Sequence, residues 1–437
     1  MHDIAIVGAG LTGLVAALRL AAAGKRVTVF ERYPEPGGLV ATFDAGGEQL
    51  ECFYHHVFST DTDYVALAEE LGLAGEIAWL PSRMGIWAHD RLWDFGTPAS
   101  LLRFGPLPCF DKVRFALSTL YLSRRTGLAE FEGVTARDWL QRHAGRAAYD
   151  SVWGPLLAQK FAERAETVSM AWLWNKIHLR GRSRDRGGMG ERLGYMAGSF
   201  GRLIDALAGR VAAAGVRLEM ASPVRAIRPV AGGIEVATRK DAAVFDTVLF
   251  TAAPAELLRV AGDHLPAVYR ERLGSIDHTH ALCCVLELDR PLTPYYWLNI
   301  ADPAFPFGGV IEHTNLVSPE RYRGHHVVYL SKYVLDDHPL WQAQDGAIWD
   351  AMLPWLGRLN PAFDASWIQE RHVFRAAFAQ PIVPCHYSRT IPPFATPIPG
   401  LYHACMAQVY PEDRGQNYAV RAANRAAAAL ARIGPKA

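Results

Sequence analysis

Hydrophobic residues at the amino-terminal end of the chain form a short run, then a helical pattern, then a second short run. The first run, Asp3–Val7 (DIAIV), predicts a buried parallel strand. Residues 14–23 (LVAALRLAAA) predict a helix, and Arg26–Phe30 (RVTVF) predicts the second strand. This order of elements predicts a βαβ unit.

Similar patterns predict further elements along the chain. Residues 195–215 predict a helix, because Leu203, Leu207 and Val211 lie on one stripe. An Ala-rich helix is predicted at residues 418–431, and the pattern of residues 60–190 is largely helical. Strands are predicted at residues 216–218, 222–227, 246–251, 281–288, 325–332 and 400–405.

The turn between the first strand and the first helix is rich in glycine. It reads Gly8, Ala9, Gly10, Leu11, Thr12 and Gly13, which is the motif GxGxxG. In this position the first glycine permits a tight turn, the second lets a pyrophosphate approach the backbone, and the third lets the helix pack on the strand. The amides and the dipole at the helix start face the diphosphate, so Leu11 and Thr12 join the glycines as predicted contacts.

An acid follows the second predicted strand. Glu31 stands eighteen residues beyond Gly13, where an acid binds the ribose hydroxyls of a dinucleotide and repels the 2′-phosphate of NADP. FAD and NAD share this fingerprint. The alternative is a glycine-rich turn in an α/β fold that binds no nucleotide, which leaves the combination of strand, glycines, helix and acid unexplained.

The segment after Glu31 carries a resemblance to a known family. It reads Arg32, Tyr33, Pro34, Glu35, Pro36, Gly37, Gly38 and Leu39. This pattern resembles the FAD-containing amine oxidoreductase superfamily, which includes amine oxidases, protoporphyrinogen oxidases and phytoene desaturases. The resemblance implies FAD as the cofactor, with Arg32, Gly37, Gly38 and Leu39 in contact with it.

The resemblance extends to later parts of the chain, because members of this superfamily return twice more to the FAD-binding domain. It implies that the backbone at Val224 contacts the adenine. It also implies that Gly415, Gln416 and Asn417, at the start of the last helix, lie near the isoalloxazine. The family usually has Gly-Asp near the end of the last strand, where this chain has Met406-Ala407-Gln408. Asp413 is the predicted replacement for that acid at the ribityl phosphate.

These observations predict an α/β fold in which a Rossmann-like FAD-binding domain, a parallel sheet with helices, is interleaved with an α+β substrate domain. The FAD-binding domain is predicted to comprise residues 1–59, 191–265 and 395–437. The substrate domain is predicted to comprise a helical part, residues 60–190, and a sheet, residues 266–394.

Four residues are candidates for catalysis. His55 and His56 follow the flavin-proximal glycines and would shuttle a proton while hydride goes to flavin N5; the alternative is one core imidazole and one exposed imidazole. Lys160 would pair with a charge on the substrate, or lie on a solvated helix face. Tyr410 is a candidate for an aromatic wall beside the flavin.

Two basic segments have open interpretations. The arginines at positions 180, 182, 184 and 186 alternate through a glycine-containing stretch, which forms either a lid that grips a phosphate or a solvated loop. Residues 101–122 are apolar and are flanked by Lys112, Arg114, Arg124 and Arg125. This segment either docks on a bilayer or packs on itself as a helical subdomain.

Composition and net charge limit the partners, metal sites and cellular compartment that we expect for the protein. The 437-residue chain has a formal net charge of +1, which gives no general field to attract nucleic acid. Its six cysteines form no CxxC pair, which argues against a zinc site or a disulfide framework and favours a reducing compartment. No secretory signal or spanning segment is visible, so we expect a cytoplasmic protein with possible peripheral membrane contact.

The expected function is FAD-dependent oxidation of a small, lipophilic molecule. Hydride would pass to flavin N5, and the reduced flavin would return electrons to an acceptor that the sequence does not identify. The alternative is a non-redox nucleotide-sugar mutase of the UDP-galactopyranose mutase type, with the arginine segment on a diphosphate. A third possibility is an inactive FAD-binding scaffold.

Overall fold

A computed structural model describes residues 2–183 and 191–434 of the chain. Its strands are β1 (Asp3–Val7), β2 (Arg26–Phe30), β3 (Thr42–Ala45), β4 (Glu48–Glu51), β5 (Ile77–Ser82), β6 (Met84–Ala88), β7 (Arg91–Asp94), β8 (Glu191–Met196), β9 (Arg217–Glu219), β10 (Ala226–Val230), β11 (Gly233–Ala237), β12 (Ala242–Phe245), β13 (Thr247–Phe250), β14 (His278–Leu288), β15 (Trp297–Ile300), β16 (Gly309–Glu312), β17 (His326–Val334), β18 (Ile368–Pro381) and β19 (Leu401–His403).

Its helices are α1 (Leu11–Ala22), α2 (Thr62–Glu70), α3 (Pro98–Arg103), α4 (Cys109–Arg124), α5 (Ala129–Glu132), α6 (Ala136–His143), α7 (Arg146–Ala148), α8 (Gly154–Phe161), α9 (Met170–Ser183), α10 (Gly201–Ala213), α11 (Pro254–Ala261), α12 (Ala267–Gly274), α13 (Pro339–Gln342), α14 (Asp345–Met352), α15 (Leu356–Leu359) and α16 (Gln416–Ala431). Within the described ranges, no helix is both long enough and apolar enough to cross a bilayer.

A five-stranded parallel sheet organises the nucleotide-binding part, in the order β19-β13-β1-β2-β9. The strands at residues 3–7 and 26–30 were predicted with these bounds and are confirmed. Both are short and rich in β-branched residues, and Ile4, Ile6 and Val29 are fully buried. The sheet therefore joins three stretches of the chain that are far apart in sequence.

Helices α1, α10 and α16 pack together in the core that lies against this sheet. The predicted stripe of Leu203, Leu207 and Val211 is buried on α10. However, residues 195–200 are not helical as predicted, because β8 continues to Met196 in antiparallel pairing with β5. The backbone at Gly198 and Ser199 is left-handed, with φ of 75° and 85°, and this separates the strand from α10.

The second large sheet is mixed and has seven strands, in the order β18-β14-β17-β16-β15-β6-β7. The predicted strands at residues 281–288 and 325–332 are confirmed as β14 and β17, which pair with each other. Residues 60–190 are less helical than predicted, because they also supply β6 and β7 to this sheet. β6 is a five-residue apolar run, too short for periodicity to distinguish it from a buried helical turn.

Helix α1 lies unusually close to the turn that precedes it. A Cβ atom added at Gly13 would lie 1.8 Å from the carbonyl oxygen of Gly8. Gly8 itself has φ of 111°, and a Cβ there would lie 2.5 Å from Oγ1 of Thr251. Glycine is required at both positions, which fixes the βαβ turn against its neighbours.

We expect Gly13→Ala to lower the free energy of unfolding by at least about 3 kcal/mol, since neither backbone segment can move aside. Gly209→Ala is the matched control, because Gly209 lies in α10 with no atom near an added Cβ, and it should gain up to about 1 kcal/mol. Urea unfolding of both variants measures the two changes. A Gly13→Ala variant as stable as the parent would contradict the close approach.

Candidate active site

Two glycine loops meet beside the carboxyl end of β1. The amide of Gly37 donates to the carbonyl of Ala9 at 3.0 Å. A Cβ added at Gly38 would lie 3.3 Å from Cα of Gly10, whereas a Cβ at Gly10 would meet nothing closer than 4.0 Å. The loops thus pack on each other and leave the backbone of Gly10 bare on one side, as a diphosphate requires.

Glu31 is buried at the end of β2. Its carboxylate accepts hydrogen bonds from the amides of Ala9 at 2.7 Å and Tyr33 at 3.0 Å, which fixes it beside the glycine turn. Arg32, the next residue, is half exposed, and its Nη1 lies 3.6 Å from the carboxylate of Glu256. Val224 is buried in the same apolar cluster as Phe30 of β2, just before β10.

The first turn of α16 offers polar groups without partners. The first amides of a helix have no intrahelical acceptor. In the described part of the chain, both the Nε2 and the Oε1 of Gln416 are buried without a hydrogen bond. Such orphaned atoms are costly unless a ligand satisfies them. Asn417 has a structural bond, because its Oδ1 accepts from the amide of Tyr64 at 3.0 Å and ties α2 to α16.

These groups fit a flavin dinucleotide. The bare backbone of Gly10, the fixed carboxylate of Glu31 and the orphaned amide of Gln416 match a diphosphate, a ribose and the polar edge of an isoalloxazine, respectively. Leu11 and Thr12 are buried in the first turn of α1, next to the same loops. The fit rests on the donors and acceptors that this chain presents.

A cavity of 1410 Å³ opens next to the start of α16. The predicted site residues that line it are Leu39, His55, His56, Lys160, Asp413, Gly415, Gln416 and Asn417. This volume exceeds the roughly 300–1,000 Å³ of ordinary ligand pockets, so it has room for a flavin ring and a substrate together. Tyr410 is not among the lining residues: its hydroxyl donates to Glu132 at 3.2 Å, and its ring packs on Tyr387.

Asp413 is the centre of a buried ion cluster. Its Oδ2 accepts from Lys160 at 2.8 Å and from Lys176 at 2.6 Å, and its Oδ1 accepts from the indole of Trp172 at 3.1 Å. Burial tends to raise the pKa of Asp413, but Lys160, Lys176 and Arg414 outweigh it and hold that pKa well below its usual range. Both oxygens of Asp413 are therefore occupied by side chains, in contrast to the predicted contact with a ribityl phosphate.

The sequence analysis missed Lys176 and the role of Trp172. Both lie on α9 four residues apart, a spacing that places them on one helix face. Burial lowers the pKa of Lys176 to about 8, although Asp413 opposes this change. Burial also lowers the pKa of Lys160. The helical spacing of Trp172 and Lys176 was a signal in the sequence, but their partner Asp413 is too distant in the chain to be inferred.

The two histidines line the cavity in neutral form. Nδ1 of His55 lies 2.5 Å from the carbonyl oxygen of Phe53, and Nδ1 of His56 lies 3.2 Å from the hydroxyl of Tyr296. Burial lowers the pKa of His55 to about 4 and that of His56 to about 3, with nearby cations adding to the effect. Neither ring changes charge near pH 7, so the predicted proton shuttle lacks a matched pKa.

Helix α4 carries two opposite stripes at the mouth of the cavity. Phe115, Ser118 and Leu122 are buried, whereas Phe110 and Leu117 are 71% and 60% exposed. Val113 and Leu120 continue the outer stripe, and Leu102 of α3 is 72% exposed. The five exposed residues, which we call the apolar stripe, are Leu102, Phe110, Val113, Leu117 and Leu120. All of them except Phe110 also line the cavity. The segment packs on the protein with one face and presents the other face to solvent.

Only part of the predicted arginine lid lies within the described residues. Arg180 lies on α9 and lines the cavity. Arg184 and Arg186 lie outside the described residues.

We expect Asp413→Asn to lower the free energy of unfolding by about 3 kcal/mol at pH 7, because it leaves two enclosed ammonium groups without a carboxylate. The lowered pKa means that the contribution of Asp413 is complete at neutral pH and is lost only as the pH falls through that value. Asp345→Asn is the control; Asp345 is 59% exposed and pairs with Arg375, so its change should stay within about 1 kcal/mol. Equal losses in urea unfolding would contradict the assignment.

Curated relatives align with parts of the chain. A probable zeta-carotene desaturase from Synechococcus elongatus is 27% identical over 181 residues, which is 35% of this chain and 37% of that protein. A 4,4'-diapophytoene desaturase from Staphylococcus haemolyticus is 45% identical over 69 residues, 16% of this chain and 14% of that protein. The alignments thus cover less than two thirds of either relative.

Solved structures share the whole fold. A protein assigned as a protoporphyrinogen oxidase from Exiguobacterium sp. 255-15 superposes with a TM-score of 0.80 at 17% identity, over 98% of both chains. A reduced UDP-galactopyranose mutase superposes with a TM-score of 0.75 at 16% identity, over 99% of this chain and 97% of that one. The interleaved α/β architecture predicted from the sequence is therefore confirmed.

The sequence model of the flavin containing amine oxidoreductases matches residues 11–431, from the first residue of α1 to the last residue of α16. The chain belongs to the family of flavin containing amine oxidoreductases.

Proposed function

We propose that the chain is an FAD-dependent dehydrogenase that oxidises a C–H bond of a lipophilic small molecule. One observation carries the proposal: a single large cavity extends from the orphaned amide of Gln416 to the apolar stripe of α3 and α4. The carotenoid desaturase names of the relatives support a lipophilic substrate.

FAD, when bound, supplies a two-electron acceptor for hydride at N5 and passes the electrons to an acceptor outside the chain, such as oxygen or a quinone. The residues of the chain bind and orient the cofactor and the substrate. Glu31, which the amide of Ala9 holds beside the glycine turn, would accept hydrogen bonds from ribose hydroxyls, and the backbone of Gly10 would leave room for the diphosphate. The amides at the start of α16 and the unpartnered side chain of Gln416 would stabilise negative charge at the pyrimidine edge.

The wall of the cavity excludes water from the reacting carbon. Phe53, Phe58 and Trp297 line it near the two neutral histidines, and Leu156 and Leu157 of α8 add aliphatic surface. A dry, apolar wall orients a hydrocarbon chain by shape and leaves few groups that compete for the hydride.

The apolar stripe is the proposed docking surface for an anionic bilayer. Five large apolar side chains there face solvent, which is costly for a surface that stays in water. Arg103, Lys112 and Arg124 lie on the same two helices and complement anionic headgroups. Because most of the stripe also lines the cavity, a lipid would enter from the bilayer without crossing water.

A second candidate function is nucleotide-sugar isomerisation without net oxidation. The observation that favours it is the cationic cluster of Lys160, Lys176 and Arg414 inside the cavity, which suits a diphosphate. The fold is also that of a UDP-galactopyranose mutase. The two candidates differ in whether the substrate reduces the flavin and leaves it reduced.

Anaerobic titration of the flavin-loaded protein separates these functions. We expect a lipophilic substrate to bleach the absorbance of the oxidised flavin, and air to restore it, because the lipid loses two electrons. UDP-galactopyranose and simple amines serve as comparison ligands. Turnover of the sugar nucleotide without an acceptor would establish the mutase instead, and a flavin that no lipid reduces would contradict dehydrogenation.

We expect the double variant Val113→Glu, Leu117→Glu to lose at least about tenfold in affinity for vesicles that contain phosphatidylglycerol, because two charges replace methyl groups that the bilayer would bury and repel its anionic surface. Val268→Glu is the matched control, since Val268 is 74% exposed on α12, away from the cavity. Cosedimentation measures the binding. Equal binding of the double variant and the control would contradict the docking surface.

A further inference from the structure

The cluster around Asp413 has more positive than negative charge. Lys160 and Lys176 share one carboxylate oxygen, and Trp172 takes the other. Each ammonium group has three donors, and among the described residues each has one hydrogen-bond acceptor, Asp413. The ring centroid of Trp172 lies 5.3 Å from Nζ of Lys160 and 5.2 Å from Nζ of Lys176, so the ring contributes a cation–π contact to both groups.

The remaining donors point to the cavity. The side chains of Lys160, Lys176 and Asp413 are 20%, 32% and 12% exposed, and all three residues line the cavity. The two lysines therefore present part of their surface to the cavity. A ligand in the cavity can reach both ammonium groups.

No other acid in the cavity neutralises this excess within the described residues. Arg414 adds a third cation, and it donates hydrogen bonds to the amide oxygen of Gln380 and the hydroxyl of Tyr333. The other two acids that line the cavity have partners elsewhere: Asp94 bonds Arg83 at 2.9 Å, and Asp61 accepts a hydrogen bond from the amide of Phe58 at 2.9 Å. Three cations thus face one carboxylate.

Uncompensated charge in an enclosed site is unfavourable. Burial lowers the pKa of Lys176 to about 8, and the nearby charge of Lys160 acts in the same direction. A bound anion would remove the cost by supplying the missing charge and by accepting the unused N–H groups. A neutral hydrocarbon would leave the cost in place.

Most of the remaining surface of the cavity, from α8 to the apolar stripe, is apolar. We propose that the substrate is an amphipathic anion, an apolar chain with one carboxylate or phosphate group that Lys160 and Lys176 bind. This inference rests on the proposed use of the cavity for a lipophilic substrate, and it narrows the class of substrate. The protein selects anionic lipids over uncharged hydrocarbons. The shared chemistry is a group with two or more anionic oxygens.

The proposal is tested by measuring how tightly the protein binds three ligands, without measuring their oxidation. The flavin-loaded protein is titrated with decyl phosphate, decanoate and decanol, and binding is followed by the change in flavin absorbance and by calorimetry. We expect at least one of the two anions to bind about tenfold or more tightly than decanol, since a charge-assisted hydrogen bond contributes that much. The anion that binds better identifies the headgroup. Equal affinity for all three probes would overturn the proposal.

Variants assign the effect to the lysines. Lys176→Met should remove about tenfold of the affinity for the anion and leave decanol unchanged, whereas Lys176→Arg should retain most of it. Lys160→Met provides a second, independent variant, and melting temperatures identify any variant that does not fold. Lys332→Met is the control, because Lys332 is a partly buried lysine of β17 that does not line the cavity. A loss of affinity shared by decanol would contradict a specific anion site.

Inorganic phosphate alone is the last probe. If it binds as tightly as decyl phosphate, the cluster is a small-anion site and the amphipathic substrate is refuted. The failure of dehydrogenation is distinguishable from the failure of this inference. Lysine-dependent anion binding without flavin reduction would refute only dehydrogenation, and hydrocarbon oxidation that is unchanged in Lys176→Met would refute only the anion site.

Discussion

Parallel pairing of β1 with β2 and β13, and of β13 with β19, brings three distant stretches of the chain to one sheet. The carboxyl ends of parallel strands lie at one edge, so each strand delivers its following loop to the same place. Gly8, Glu31 and Thr251 follow three of these strands directly. The fourth strand, β19, leads to Asp413 and α16. The cofactor cradle and the ion cluster both depend on this alignment.

The sequence predicts the parts of this arrangement that depend on local chemistry. The strands of the βαβ unit and the roles of Gly8 and Gly13 follow from short apolar runs and from backbone geometry, which a sequence displays directly. The last helix was predicted to begin at residue 418 and begins at Gln416, a small difference at a helix end.

The features that the sequence did not predict share one physical cause. All of them depend on contacts between residues that are distant in the chain. β6 is a strand because β15 pairs with it, and residues 195–196 are a strand because β5 does. The partners of Asp413 come from α8 and α9, 253 and 237 residues away. Tyr410 is placed by Glu132, 278 residues away. No local pattern contains that information, so the charge of the cavity became visible only in the fold.

The cavity combines two environments that have different effects on a ligand. Its outer part exposes aliphatic side chains to solvent, and its inner part holds cations whose charge one carboxylate does not balance. The first favours a bilayer surface and an apolar chain, and the second favours an anionic end group. The same cavity is lined by the first turn of α16, where the side chain of Gln416 has no hydrogen-bond partner among the described residues. A flavin there would complete the site.

The central claim is that the glycine loops, Glu31 and the start of α16 bind FAD. Quantifying the flavin released from the purified, heat-denatured protein tests it most directly. The account predicts about one FAD for each chain and little FMN, because the cradle of Gly10 and Glu31 recognises the diphosphate and the adenosine ribose. A colourless protein that takes up no FAD on reconstitution would contradict it.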